Sequence, residues 1–158
     1  MKKLIFLGLL IFLFTACGNN NSNENKEAAS SSEHKEAIEG NPSYDQQRGE
    51  GKFTKVEISP TLDAAKATAG DKVFTVKCSA CHKLTDEKLV GPGWKDVTSR
   101  HSAEWIMNFV TNPDVMINKD PKAQAMLELC LVRMPNQNLT DEDARNIYEF
   151  MRKNDGVK

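Results

Sequence analysis

Apolar residues recur with a helical period in four short segments between residues 61 and 158, and no alternating strand pattern accompanies them. The first segment predicts a helix near residues 62–76. The second predicts a helix that ends at Asn112, because a residue that precedes a proline, here Pro113, avoids helical geometry. Short helices separated by loops are typical of an all-α domain, so we expect residues 61–158 to form one.

The last two predicted helices carry clear start signals. Asp120 before Pro121 is typical of an N-cap followed by a proline in the first turn. Thr140 precedes Asp143 at the spacing of an acidic capping box. The domain then has about four helices in about 98 residues, and a core of that size needs something large to fill its centre.

The first 16 residues are typical of an export signal rather than of the fold. Lys2 and Lys3 form a positively charged start, and an unbroken apolar run from Leu4 to Phe14 follows. This run is too short for a membrane helix, which needs about 20 apolar residues. We therefore expect residues 1–16 to be removed when the protein leaves the cytoplasm.

The end of this run, Thr15-Ala16-Cys17, resembles a bacterial lipoprotein box. The resemblance implies that Cys17 is lipidated and anchors the protein to a bacterial membrane, with the domain facing the periplasm. The alternative is ordinary cleavage after Ala16 that leaves Cys17 as an unmodified thiol, although bulky Phe14 fits such a site poorly.

Residues 17–60 differ in composition from the segments on either side. They contain an asparagine-rich run at residues 19–25 and three serines at residues 30–32, with no apolar periodicity. Such a segment buries too little apolar surface to offset the entropy lost on ordering. We expect a flexible tether, of which residues 51–58 alternate weakly and are able to lie on the domain as an extended segment.

The whole chain has a formal charge of −1, and 39% of its residues are hydrophobic. A near-neutral chain lacks the basic stripe that nucleic-acid binding needs. We therefore expect no nucleic-acid partner.

Cys78, Cys81 and His82 form the sequence C-x-x-C-H, which indicates covalent attachment of one c-type haem. Two thiols three residues apart on a short helical turn reach both vinyl groups of one porphyrin edge, and the next residue aims its imidazole at the iron. Three alternatives are weaker. A thioredoxin-like redox pair needs a nearby βαβ pattern, a zinc site needs two further ligands, and a disulfide across so short a loop stabilises little.

Met134 is the favoured sixth ligand of the haem iron. We expect it in a loop, where Pro135 prevents helix continuation and the Thr140 cap fixes the far end. Met116, also expected in a loop, and His101, just before a helix, are the other candidates. Protein ligands on both sides of the iron favour electron transfer over catalysis.

The segment from about Gly70 to Arg152 resembles a class I monohaem cytochrome c. Gly70 and Phe74 match the N-terminal helix of that family, in which the glycine allows close crossing by the C-terminal helix. Ile147 and Phe150 match the aliphatic and aromatic residues that meet them. The resemblance implies a small cytochrome c fold, wrapped around one haem and preceded by the tether.

The resemblance also implies roles for residues around the haem. Cys78 and Cys81 match the two attachment residues, and His82 matches the proximal ligand. Pro92 matches the proline whose carbonyl accepts a hydrogen bond from the proximal imidazole, which would orient the ring. Trp94 falls where the family places an apolar residue against the haem.

Three other residues have open roles. Trp105 and Arg100 are candidates for bonding the haem propionates, with helix packing and a solvated charge as the alternatives. Cys130 shares an apolar helix face with Met126 and Leu127 and has no counterpart in the family. We expect it to be a buried, inert thiol, and a redox-sensing or dimer-forming thiol is the alternative.

The resemblance implies a one-electron carrier and not an enzyme, with His82 and Met134 as the axial ligands. The implied partners are a membrane quinol-oxidising complex as donor and a terminal oxidase or denitrification reductase as acceptor, in a respiratory chain. We expect a monomer. The alternatives are a haem-based sensor or catalytic subunit, in which a small ligand displaces Met134, and an exported thiol–disulfide protein.

Overall fold

The structure, a computed structural model, describes residues 44–158. Within this range the chain forms no strand and folds into six helices, which are α1 (Ala64–Lys77), α2 (Val97–Arg100), α3 (Ala103–Thr111), α4 (Pro113–Lys119), α5 (Pro121–Cys130) and α6 (Asp141–Asn154). The predicted all-α architecture is confirmed, and two short helices, α2 and α4, add to the four expected. In this part of the chain no helix is long and apolar enough to span a membrane.

The two longest helices, α1 and α6, cross closely at Gly70. A Cβ atom placed on Gly70 would lie 2.1 Å from the carbonyl oxygen of Asn146 in α6, so a side chain at this position would push the helices apart. Four residues further along α1, Phe74 packs against Phe150 with 5.4 Å between the ring centroids. Ile147 lies fully buried in the same interface. The helix pairing that the family resemblance implies is therefore confirmed.

The N-cap signals in the sequence are confirmed as well. The carboxylate of Asp120 accepts a hydrogen bond from the backbone N–H of Ala123 at 2.8 Å and begins α5. Thr140 and Asp143 exchange both hydrogen bonds of a capping box at the start of α6. Helix α1 begins slightly later than expected because Asp63 caps it.

Helix α4 is not predicted by the apolar pattern. Pro113 follows the end of α3 and occupies the first position of α4, where a proline is well tolerated. Met116 therefore lies in a helix and not in the expected loop. Its side chain is fully buried, and its sulfur accepts a hydrogen bond from the backbone N–H of Glu50 at 3.1 Å.

Residues 44–60 lie against the helices, so the packed part of the chain includes residues before the expected boundary at residue 61. We call this segment the N-terminal strap. Asn108 in α3, only 1% exposed, donates to the carbonyls of Arg48 and Phe53, each at 3.0 Å, and accepts from the N–H of Phe53 at 2.9 Å. Because the strap has no regular secondary structure, this buried amide supplies partners that its backbone would otherwise lack.

Two buried charged residues hold the ends of the strap. At the first end, the hydroxyl of Tyr44 donates to the fully buried carboxylate of Asp120. At the other end, Arg152 donates to the carbonyl of Ser59 at 2.8 Å and pairs with the fully buried carboxylate of Glu149 at 2.9 Å. Residues 51–58 thus lie on the domain as an extended segment, as expected, whereas the flexible tether expected for residues 44–50 and 59–60 is wrong. The export signal, Cys17 and the rest of the tether lie outside the described residues and stay predictions.

Candidate functional site

The C-x-x-C-H residues form a tight turn directly after α1. The helix ends at Lys77, and Cys78 caps it with its own N–H bonded to the carbonyl of Phe74 at 2.9 Å. The N–H groups of Cys81 and His82 then both bond to the carbonyl of Cys78, at 3.0 and 2.9 Å. This turn keeps the two cysteines and the histidine close together, as their spacing in the sequence predicts. Neither thiol is in a disulfide.

The imidazole of His82 is oriented by the loop that follows it. Its Nδ1–H donates to the carbonyl oxygen of Pro92 at 2.9 Å, which leaves Nε2 as the nitrogen with a free lone pair. The N–H of Gly91 bonds to the carbonyl of Cys81 at 2.9 Å and holds the loop in place. A Cβ atom on Gly91 would lie 2.4 Å from Cε1 of His82, so only glycine permits this close approach.

Burial sets the protonation states of this turn. Desolvation lowers the pKa of His82, against the opposing effect of its hydrogen bond to Pro92, so the ring is neutral at pH 7. A neutral imidazole is the form that binds a metal. Desolvation also raises the pKa of Cys78 to about 11. Catalytic redox thiols have lowered pKa values, so this environment disfavours the thiol–disulfide alternative.

Trp94 closes one side of the site. Its indole is 6% exposed and lies 4.9 Å from the ring of Phe74 and 5.5 Å from that of His82, measured between centroids. The N–H of Trp94 bonds to the carbonyl of Lys83 at 2.9 Å, which fixes the backbone. The structure therefore brings Pro92 and Trp94 to the turn, as expected.

Met134 lies across the site from His82, on the irregular segment between α5 and α6. Three neighbouring cavities of about 100, 70 and 40 Å³ each have both His82 and Met134 in their walls. Cys81 lines two of these cavities and Cys78 lines one. Two thiols, an imidazole and a thioether therefore surround one shared region.

Other apolar side chains complete the walls of the site. Four of them come from α3, α4 and α5, and these are Phe109, Ile117, Met126 and Leu127. Cys130 also lines the wall, but it is only half-buried. The expectation of a buried thiol is therefore met only in part. The α5 members share a helix face that is visible in the sequence, whereas Ile117 belongs to the unpredicted α4.

The two candidates for bonding propionates are engaged elsewhere in the structure. The indole N–H of Trp105 donates to Asp120 at 3.0 Å, which matches the helix-packing alternative. Arg100 donates to the backbone carbonyls of Gly93, Lys95 and Asp96 at 3.1–3.3 Å. Both residues line one of the three cavities, although their donors are directed to these partners.

His101, the other candidate ligand besides the methionines, stacks on Trp105 with 4.0 Å between ring centroids. It lines one of the three cavities, whereas Met134 lines all of them. Burial lowers the pKa of His101 to about 4, so its ring is neutral. The position of Met134 therefore fits an axial ligand better.

The site fits a covalently attached haem in its donor atoms and its surroundings. It offers two free thiols, a neutral imidazole with an available Nε2 and a thioether, all bordering cavities with predominantly apolar walls. Among the described residues, no group of three or more histidine, cysteine or acidic side chains could hold a bare metal ion. Haem supplies the missing metal ligands itself.

Comparison with known proteins agrees with this site. The family profile described as Cytochrome c matches residues 67–155. A solved structure of cytochrome c from Rhodothermus marinus is 35% identical, with a TM-score of 0.64 over 66% of this chain and 90% of the other. An engineered form of that cytochrome bound to a carbene intermediate is 34% identical, with a TM-score of 0.61 over the same shares. No curated protein sequence matches at a significant level.

The fold and the site together define a small helical protein built to hold one haem. The chain belongs to the cytochrome c family, and it carries one haem c attached through Cys78 and Cys81.

Proposed function

We propose that this protein is a membrane-anchored one-electron carrier whose haem iron is bound by His82 and Met134. The observation that carries the proposal is that these two side chains border all three cavities between the haem-attachment turn and the α5–α6 segment. Members of the cytochrome c family are generally haem-based electron carriers, and bound haem would supply a reversible one-electron change at its iron.

The chain's own residues contribute orientation and a low-polarity environment. The carbonyl of Pro92 holds the His82 ring in one orientation and raises the basicity of Nε2. Trp94 and Phe109 cover the site with aromatic surface and limit the access of water. A thioether ligand and apolar surroundings both favour the ferrous state, which raises the reduction potential.

We further propose that the domain works outside the cytoplasm, held to a bacterial membrane by lipidated Cys17. The support is the N-terminal sequence, with its short apolar run and lipoprotein-like box. A tether confines the domain near the membrane and raises its concentration at membrane partners. The donor is a quinol-oxidising complex, and the acceptor is a terminal oxidase or denitrification reductase of a respiratory chain.

The ligand assignment is tested with Met134→Ala in the full-length holoprotein. The ferric parent is expected to show a sulfur-to-iron charge-transfer band, and the variant is expected to lose it. Met107→Leu is the matched control, because Met107 is 3% exposed in α3 and borders none of the three cavities. This control should keep the band.

Two results would contradict the proposal. A band that survives in Met134→Ala would show that another sulfur binds the iron. Rapid binding of carbon monoxide by the reduced parent would show that Met134 leaves the iron readily, which favours the sensor or catalytic alternative.

A further inference from the structure

Met134 lies in a segment that receives little support from its own main chain. Residues 131–140, which we call the Met134 segment, connect α5 to α6 without regular secondary structure. Within the described part of the chain, residues 132–139 make no hydrogen bond between main-chain groups, and Leu139 is the only buried residue of the segment. A segment with so few buried contacts opens locally at a low cost in free energy. The position of Met134 therefore depends on side-chain contacts.

A lysine at the end of α1 connects the Met134 segment to the haem-attachment turn. Lys77 is the last residue of α1 and directly precedes Cys78. Its ammonium group donates to the main-chain carbonyl of Gln137 at 2.9 Å, three residues after Met134. Both partners line the cavity of about 40 Å³ that also has His82 and Met134 in its walls. This hydrogen bond therefore joins the two sides of the haem site.

An arginine on the other side of Met134 connects the segment to α4. The guanidinium of Arg133 donates to the side-chain oxygen of Asn118, and its Nε lies 4.0 Å from the carboxylate of Asp114. Arg133 and Met134 both line the cavity of about 100 Å³. The two connections thus flank Met134, one residue before it and three residues after it.

These two hydrogen bonds are exposed, so each contributes little free energy. Each is nevertheless made only while the Met134 segment is closed. Removing such a bond raises the open fraction of the segment while the rest of the domain stays folded. Small contributions are therefore important here, because few other contacts oppose the opening.

We propose that Lys77 and Arg133 are positioning residues that keep Met134 against the haem iron by holding both ends of its segment. The proposal rests on the proposed function, in which Met134 is an axial ligand. When the two hydrogen bonds break, the segment opens, and the bond between sulfur and iron is exchanged for a bond to a small ligand without transfer of an electron. Lys77 and Arg133 thereby determine how strongly the chain resists such a ligand.

The test measures the binding of imidazole to the ferric holoprotein, because imidazole competes with the thioether for the iron. The apparent Kd falls in proportion as the open fraction of the segment rises. Lys77→Ala and Arg133→Ala should each lower the apparent Kd about threefold, as the loss of one exposed charge-assisted hydrogen bond predicts. The double variant should lower it about tenfold if the two bonds act independently. The sulfur-to-iron charge-transfer band should remain in every variant before imidazole is added.

Three controls separate this role from other effects. Lys77→Arg and Arg133→Lys keep a cationic donor and should restore the Kd of the parent. Lys72→Ala removes an exposed charge from the same helix as Lys77 and should leave the Kd unchanged. Asp63→Ala removes the N-cap of α1, which destabilises the domain away from the Met134 segment, and it should also leave the Kd unchanged.

The outcomes distinguish this inference from the proposed function. A parent without the charge-transfer band would show that Met134 is not the ligand, and the proposed function would be wrong. A parent with the band and an unchanged Kd in Lys77→Ala and Arg133→Ala would contradict only the positioning role. An equal decrease of the Kd in Lys72→Ala would assign the effect to net charge, and an equal decrease in Asp63→Ala would assign it to general loss of stability, so either result would overturn the inference.

Discussion

The close crossing of α1 and α6 at Gly70 predicts that Gly70→Ala destabilises the protein. Replacing glycine by alanine inside a helix normally stabilises it by about 1 kcal/mol, because alanine has the higher helix propensity. At Gly70 the new methyl group would lie 2.1 Å from the carbonyl oxygen of Asn146 and 2.8 Å from Cβ of Phe150. The two effects have opposite signs, so their sizes decide the result.

The obstruction at Gly70 outweighs the gain in helix propensity. Overpacking a core costs typically about 1–3 kcal/mol, and the upper end applies because a main-chain carbonyl cannot rotate away. Subtracting about 1 kcal/mol for helix propensity leaves a net loss of about 2 kcal/mol. For a domain of this size the loss lowers the thermal midpoint by about 8 °C.

Denaturant unfolding of the holoprotein, followed by circular dichroism, measures the change in the free energy of unfolding. Thr68→Ala is the matched control, because Thr68 is exposed on the same helix and its replacement introduces the same residue. We expect the control to be neutral or slightly stabilising. If Gly70→Ala is as stable as the parent, the helices are not held at this distance, and the argument from close crossing is refuted.

Two further predictions concern the N-terminal strap and His101. Asn108→Ala should lower the free energy of unfolding by about 3 kcal/mol, because three hydrogen bonds to the strap are lost. Asn108→Ala should also speed amide hydrogen exchange at residues 45–56. Asn112→Ala is the control, because the Asn112 side chain makes no capping bond, and it should change neither the free energy of unfolding nor the exchange rate. Unchanged exchange in Asn108→Ala would contradict the role of Asn108. Because the pKa of His101 is about 4 in the folded protein and has its ordinary value of 6.5 in the unfolded chain, the unfolded chain binds more protons between these pH values. Stability should therefore fall by about 1 kcal/mol as the pH drops from 6.5 towards 4, a value reduced for partial exposure, and His101→Phe should flatten this dependence in denaturant titrations at several pH values.

The parts of the fold that the sequence predicts are those with local signals. Thr140 and Asp143 are three residues apart, and their capping box depends on nothing beyond that turn. The C-x-x-C-H turn is equally local, since the hydrogen bonds that shape it lie between Phe74 and His82. The resemblance added Pro92, which lies close to His82 in the sequence and in the structure.

The features that the sequence does not predict depend on contacts between distant residues. Asn108 is polar at a position of α3 that faces the interior, and nothing near it in sequence indicates that the strap supplies its partners. Met116 lies in the short helix α4, and the environment of its side chain depends on Glu50 of the strap, which contacts its sulfur. The left-handed backbone conformation of Leu131 is likewise not predictable from the sequence, because no glycine marks the end of α5.

The N-terminal strap also has a consequence for the order of folding. Its hydrogen bonds to the helices join residues that are 48 to 93 positions apart in the chain, so its contacts carry a large entropy of loop closure. The surface that receives it, made by α3, α4, α5 and α6, must exist before those contacts can form. The strap therefore closes only after the helices that receive it have assembled.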